Sequence, residues 1–85
     1  MSVELTFLTR RDCHLCETAR ENVQTAIASR DVTLTEVDVD TDADLRDKYG
    51  WDVPVVLLDG RQHSFYRVDP QRLARAIDAL IARRP

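Results

Sequence analysis

Cysteine, glycine, proline and aromatic residues are all scarce in this 85-residue chain, which has two Cys, two Gly, three Pro, one Trp, two Tyr and two Phe. Two cysteines cannot build the disulfide framework that staples small secreted domains. Nor do they offer the usual ligand spacing of a closed four-ligand zinc site, since the only histidines are His14, inside the motif, and the distant His63, and no second Cys pair exists. With 44% hydrophobic and 32% charged residues, the shortage of Gly and Pro excludes a disordered or low-complexity chain. No apolar run approaches the ~20 residues that span a bilayer, and the N-terminus lacks the basic stretch and long apolar core of a secretory signal. Lysine is nearly absent: Lys48 is the only one among 12 basic residues, and the net charge is −3. A chain so balanced does not read as a nucleic-acid binder. These absences predict a monomeric cytoplasmic protein with neither a nucleic acid nor a membrane as partner, folded as one domain over residues 1–85.

What is present has order. Val3, Leu5 and Phe7 alternate with Glu4 and Thr6, predicting a buried strand over 3–9. Leu15, Cys16, Ala19, Val23, Ala26 and Ile27 then share one helical face, predicting a helix over about 13–29 capped by Asp12. β-branched residues in 32–39 predict a second strand. A short helix follows, capped by Thr41 or Asp42, with Leu45 and Tyr49 inward, Asp44 and Lys48 paired outside, and Gly50 at its C′ position. Val53–Leu58 is an apolar strand, joined by the hairpin signal Asp59-Gly60 to a weaker run over 62–68. Asp69 and Pro70 open a final helix whose inner face is Leu73, Ala76, Ile77, Leu80 and Ile81. The order β-α-β-α-β-β-α predicts an α/β fold with a four-stranded mixed sheet, made of a βαβ half and a ββα half. The acidic stretch Asp38 to Asp47 and the arginines of the last helix read as solvated faces, and Asp38–Asp42 lacks the Gly and Glu of a calcium loop.

Both cysteines fall where the first strand hands over to the first helix, in Arg10-Arg11-Asp12-Cys13-His14-Leu15-Cys16. Spaced i, i+3 on a helix, their β-carbons lie about 5–6 Å apart, close enough for a disulfide. Cys13 occupies the first turn, where free N–H groups and the helix dipole favour a thiolate. Arg10, Arg11 and a protonated His14 act in the same direction, and Asp12 opposes them. Sites of this kind lower a thiol pKa from about 8.5 to roughly 3.5–7.5. Cys13 is thus the expected nucleophile and Cys16, on the apolar face, the expected resolving thiol. Two other roles for the pair remain open at this point: metal or Fe–S ligation, and service as inert core residues.

The spans Phe7–Cys16, Val37-Asp-Val-Asp40 and Val53-Pro-Val-Val-Leu-Leu-Asp-Gly60 together resemble the thioredoxin superfamily, specifically its small glutaredoxin-like proteins, over essentially the whole chain. The resemblance implies a thioredoxin-like, glutaredoxin-type fold with a cis peptide bond before Pro54. It implies a dithiol oxidoreductase that reduces protein or small-molecule disulfides through Cys13 and Cys16. Val53, whose backbone would pair with an extended substrate, Pro54, Arg11 and His14 are the expected substrate-binding residues, with no metal ligand. No bound cofactor is implied. The pair would be regenerated by an external thiol reductant, either glutathione, another low-molecular-weight thiol or a reductase, and the partner would be a disulfide-containing protein or small thiol. The chain departs from that family at His63-Ser-Phe-Tyr-Arg-Val-Asp69, where glutathione-using members carry Gly-Gly followed by an acidic residue. It also has Phe7 where thioredoxins proper carry a buried acid. The competing reading is a non-enzymatic glutaredoxin-like binding module or a metal- or Fe–S-binding protein.

Overall fold

The computed structural model describes residues 2–83. Its elements are β1 (Val3–Thr9), α1 (His14–Ile27), β2 (Val32–Asp38), a 3-10 turn (Val39–Thr41), α2 (Ala43–Tyr49), β3 (Val55–Leu58), β4 (Arg61–Phe65) and α3 (Pro70–Arg83). This is the expected element order, and the strands form one mixed sheet ordered β2-β1-β3-β4. β1 runs parallel to β2, with Leu5 opposite Leu34, and antiparallel to β3, with Leu8 opposite Val55. Hydrogen bonding thus flanks β1 on both edges, and side-chain burial covers it on both faces.

On one face Val3, Leu5 and Phe7 pack with Val56 and Leu58 against Ala19, Val23 and Ala26 of α1 and Leu73 and Ile77 of α3. Leu8 and Val55 turn to the other face, where they meet Val39 and Tyr49. The period of two in β1 and β3 therefore feeds two separate clusters, the larger under α1 and α3 and the smaller beside α2. Burying each large side chain is worth about 1.5–3 kcal/mol, so these clusters dominate stability.

Polar contacts tie the periphery. The Arg30 guanidinium donates to both Asp78 oxygens at 2.9 and 3.1 Å and to the Ala26 carbonyl at 3.1 Å, joining α1 to α3. It holds the Asp78 carboxyl below its ordinary pKa, chiefly through that hydrogen bond. Arg20 grips Glu36 of β2 in the same two-pronged way, at 2.9 and 3.0 Å. Asp69 caps α3 as expected, its Oδ1 accepting from the Gln71 and Arg72 N–H groups at 2.9 and 3.4 Å.

Several local expectations are corrected. Helix α1 starts at His14 with Cys13, not Asp12, as its N-cap, and it ends at Ile27. Val39 lies past β2 and begins the 3-10 turn. Strand β3 starts at Val55, so Val53 and Pro54 precede it, and β4 stops at Phe65 because the chain turns there. Gly50 follows α2 with φ −55°, not in the left-handed conformation of a C′ glycine. It is needed for space, since a β-carbon there would lie 2.5 Å from the Arg46 carbonyl oxygen. Lys48 stands 5.3 Å from the centre of the Tyr49 ring, and no Asp44–Lys48 ion pair forms among the described residues.

Positive φ values fall where turns demand them. Asp59 (49°) and Gly60 (84°) make the tight β3–β4 hairpin. After α1, Ala28 (φ −56°, ψ 130°) and Ser29 (φ 67°) have the dihedrals of a type II turn, closed by the Arg30 N–H on the Ile27 carbonyl at 3.0 Å. Glycine suits the second of those positions and serine does not. Ser29→Gly is accordingly expected to stabilise the fold by about 0.5–1 kcal/mol, the relief of left-handed strain less the extra chain entropy of glycine. Urea unfolding should show the midpoint rising with the slope unchanged.

Candidate functional site

β1 releases the chain at Thr9, and a short turn later the backbone enters α1. Asp12 makes the corner with φ 56°, a conformation Asp tolerates better than most residues. Cys13 then takes the capping position in extended conformation, and its Sγ accepts the Cys16 N–H at 3.1 Å. The same N–H also reaches the Cys13 carbonyl at 3.2 Å. A sulfur thus sits where serine or aspartate oxygens usually cap a helix, which is why Asp12 is displaced from that role. Cys13 and Cys16 are joined in a disulfide with their Cα atoms 5.2 Å apart. The two differ in access: Cys16 is 2% exposed and Cys13 half-buried.

Because Leu8 pairs with Val55, the residues just before β3 stand at the sheet end where Arg10–Cys13 leave β1. Those residues are Val53, half-buried, and Pro54, fully buried, joined by a cis peptide bond. The Tyr66 N–H donates to the Pro54 carbonyl at 2.8 Å and to the Asp52 carbonyl at 3.2 Å, the two carbonyls on either side of Val53. The backbone N–H and C=O of Val53 itself make no hydrogen bond among the described residues.

Two depressions border α1 near its start, one of them lined by the disulfide. One, of about 300 Å³, is polar and is lined by Arg10, Asp12, Cys13, His14, Glu17 and Arg20. Arg10 is anchored there by Asp40 at 3.0 Å and the Gly50 carbonyl at 3.2 Å. His14 takes part in this lining, whereas Arg11 is exposed and stands outside it. The other depression, of about 430 Å³, is mainly apolar, with Leu15, Ala19, Tyr66, Arg67 and Val68 among its walls. Leu15 belongs to the apolar stripe of α1, yet it is 41% exposed and faces this groove instead of the core. The helical stripe predicts it inside; its position between the two cysteines is the signal that it borders the site.

His63 lies beside the β3–β4 irregularity, half-buried, with Nδ1 sealed from solvent and without a partner among the described residues. Burial, reinforced by the charge of Arg72, lowers its pKa. Among the described residues no group of three or more His, Cys, Asp or Glu side chains is arranged to hold a metal ion, and no helix is long and apolar enough to cross a membrane.

The strand order, the crossover through α1 and a Cys-x-x-Cys disulfide at the first strand–helix junction define a thioredoxin-fold protein. Residues 4–78 match the family described as Glutaredoxin-like domain (DUF836), and the chain belongs to that family. It is 36% identical over 75 residues to the Mycobacterium tuberculosis protein named Uncharacterized protein Rv0508, covering 82% of this chain and 77% of that one. Among solved structures it is similar to protein XcR50 from X. campestris, with 36% identity, a TM-score of 0.73, and coverage of 88% of this chain and 96% of that one. It is also similar to a mutant thioredoxin from Halobacterium salinarum, at 26% identity and TM-score 0.70, covering 92% and 74% of the two chains.

The half-buried imidazole has a consequence for stability. With its folded pKa below the unfolded value of about 6.5, His63 costs nothing when both states are neutral, above that pH. As pH falls below about 6.5 the unfolded chain takes the proton first, so stability is lost until the folded value is passed. Unfolding midpoints measured from about pH 7.5 down to about pH 5 should therefore fall less steeply for His63→Gln than for the parent chain.

Proposed function

We propose that the chain is a dithiol oxidoreductase that reduces disulfides through Cys13 and Cys16. The observation that supports it best is the asymmetry of the pair: a half-buried sulfur at the start of a helix, facing an N–H group, and a second sulfur sealed beneath it. An N–H aimed at Sγ favours a thiolate in the reduced protein, as does the positive end of the helix.

In the proposed cycle the Cys13 thiolate attacks one sulfur of a substrate disulfide. The new S–S bond joins protein and substrate, and the first substrate thiol leaves. Cys16, having given up its proton, attacks Sγ of Cys13, and the second substrate thiol leaves with the electron pair of the broken mixed disulfide. Two electrons have passed to the substrate, and the Cys13–Cys16 bond is restored. An external thiol, either glutathione, another small thiol or a reductase, returns the pair to the dithiol, so no bound cofactor takes part. Substrate is held by the free backbone of Val53, beside Pro54, as a strand added to the sheet end. Arg11, exposed outside the polar cleft, adds positive potential, as does His14 within it when protonated. The protein would work as a monomer in the cytoplasm, where the thiol pool keeps the pair cycling.

The roles are separable by mutation. Cys13→Ser should abolish reduction of a disulfide substrate, a loss of about a thousandfold or more, while Cys16→Ser should accumulate a mixed disulfide on Cys13 visible by intact mass. Equal residual rates in the two variants would exclude this division of labour. In the reduced protein, iodoacetamide should alkylate Cys13 with a rate that titrates below about pH 8, against about 8.5 for an ordinary thiol. A profile with no group titrating in that range would instead favour a non-catalytic binding or metal-holding module.

A further inference from the structure

The polar cleft that holds the disulfide is walled by two arginines, Arg10 and Arg20, and two carboxylates, Asp12 and Glu17. Their formal charges cancel, but hydrogen bonding divides them unequally. Arg10 pairs with Asp40 at 3.0 Å and Arg20 with both oxygens of Glu36 at 2.9 and 3.0 Å, and neither Asp40 nor Glu36 belongs to the cleft wall. Hydrogen bonding to Glu36 is the main influence that holds the Arg20 guanidinium charged, while Glu17 acts on it through charge alone and more weakly. Among the described residues, Asp12 and Glu17 have no ion pair and no side-chain hydrogen bond. The sequence puts the charge of Arg10 beside the sulfur, whereas the structure directs it to Asp40. What is left uncompensated in the wall is negative. His14 can offset one charge when protonated, and Arg11 stands outside.

The backbone fixes both carboxylates beside the nucleophile. Counted from the capping residue, Cys13, Cys16, Glu17 and Arg20 fall at i, i+3, i+4 and i+7, on one face of α1, so Glu17 stands one turn from Cys13. Asp12 directly precedes Cys13, at the corner with φ 56°. The fold requires neither charge. Asparagine adopts the left-handed corner as readily as aspartate, and glutamine is as good a helix former as glutamate. A carboxylate gains modestly from the positive end of a helix, but so does the Cys13 thiolate, and two anions beside it oppose its ionisation. A nucleophile that needed only a low pKa would be better without them. Their remaining effect is on whatever approaches the sulfur.

We propose that Asp12 and Glu17 are specificity-determining residues that select disulfides bearing a positive charge beside the sulfur and discriminate against those bearing carboxylates there. The chemistry is that of the cycle above: the Cys13 thiolate attacks one substrate sulfur, the substrate S–S bond breaks, and the other sulfur leaves with the electron pair. A cationic group next to that bond is drawn toward the two carboxylates as the sulfurs meet, and an anionic group is repelled. Discrimination of this kind uses repulsion as much as attraction. The assignment rests on the disulfide-exchange reading and adds its substrate class.

The probes are three small symmetrical disulfides of similar size: cystamine, with two ammonium groups, bis(2-hydroxyethyl) disulfide, with no charge, and 3,3′-dithiodipropionate, with two carboxylates. Each is reacted with the reduced protein at a single pH, so that His14 carries the same charge throughout, and each rate is divided by that of the same disulfide with 2-mercaptoethanol. Comparing disulfides within one variant cancels any change in the reactivity of the thiolate itself. At about 20 mM salt the parent chain should prefer cystamine to dithiodipropionate by about tenfold or more, and the preference should shrink at about 500 mM. Asp12→Asn and Glu17→Gln should each cut it by about threefold, and the double variant should bring it to about twofold or less. A preference unchanged in the folded double variant, or dithiodipropionate reacting faster than cystamine with the parent, overturns the assignment. Alkylation needs no exchange and keeps the two readings apart. Iodoacetamide should outrun iodoacetate at Cys13 by a larger factor than it does at 2-mercaptoethanol, and the excess should vanish in the double variant. That result with none of the three disulfides reduced removes the exchange reading and leaves the charge selection standing. Reduction of all three at relative rates that ignore residues 12 and 17 does the reverse.

Discussion

The whole arrangement depends on the burial of β1 from both sides. Val3, Leu5 and Phe7 need one apolar cover and Leu8 another, so α1 and α3 must lie on one face of the sheet and the Val39–Tyr49 segment on the other. A strand covered in this way sits centrally, with β2 and β3 as its neighbours. The site follows from that position. The parallel partner β2 can be reached only by a crossover, which is α1, and the antiparallel partner β3 has to begin where β1 ends. The first crossover turn and the start of β3 are thereby placed at one end of the sheet, and they carry Cys13 and Val53–Pro54 respectively.

Polar groups then refine what burial has placed. Arg10 links the end of β1 to Asp40 and Gly50, and the Tyr66 N–H links the end of β4 to the residues around Val53. Exposed ion pairs such as Arg20–Glu36 and Arg30–Asp78 are screened by solvent and stabilise far less than the clusters beneath them. Their contribution is orientation: one two-pronged arginine ties the middle of α1 to β2, and the other ties its C-terminal end to α3. Around Val53, one N–H serves two carbonyls and leaves the intervening residue with its own backbone groups free.

Much of this is legible in the residues. Alternation in Val3–Phe7, the stripe Cys16-Ala19-Val23-Ala26, the Asp59-Gly60 hairpin and the Asp69-Pro70 helix start all follow from periods and turn chemistry that act locally. The misreadings arise where packing, or a competing group near or distant in sequence, overrides the local pattern. A helical stripe says which side of α1 is apolar, but not how far the sheet extends beneath it, so Leu15 reads as a core residue when it borders a groove. Asp12 has the chemistry of a cap, but the sulfur of the next residue holds the Cys16 N–H. Gly50 is required by the close Arg46 carbonyl and not by its φ. No local pattern announces a tyrosine in left-handed conformation, because the bonds that hold Tyr66 there come from Asp52 and Pro54.

The same local geometry bears on the opening and closing proposed for the cysteine pair. A bridge between residues three apart closes so small a loop that it restrains the unfolded chain by only about 2 kcal/mol. By comparison, Phe7, Leu5, Leu8, Leu73 and Ile77 are fully buried, and each contributes about 1.5–3 kcal/mol without involving either sulfur. Opening the bridge would therefore remove little of what holds the sheet to its helices. A longer loop would tie redox state to folding, so that every reduction loosened the domain. Here the fold and the sulfur chemistry are nearly independent, which is the condition a recycled dithiol has to meet.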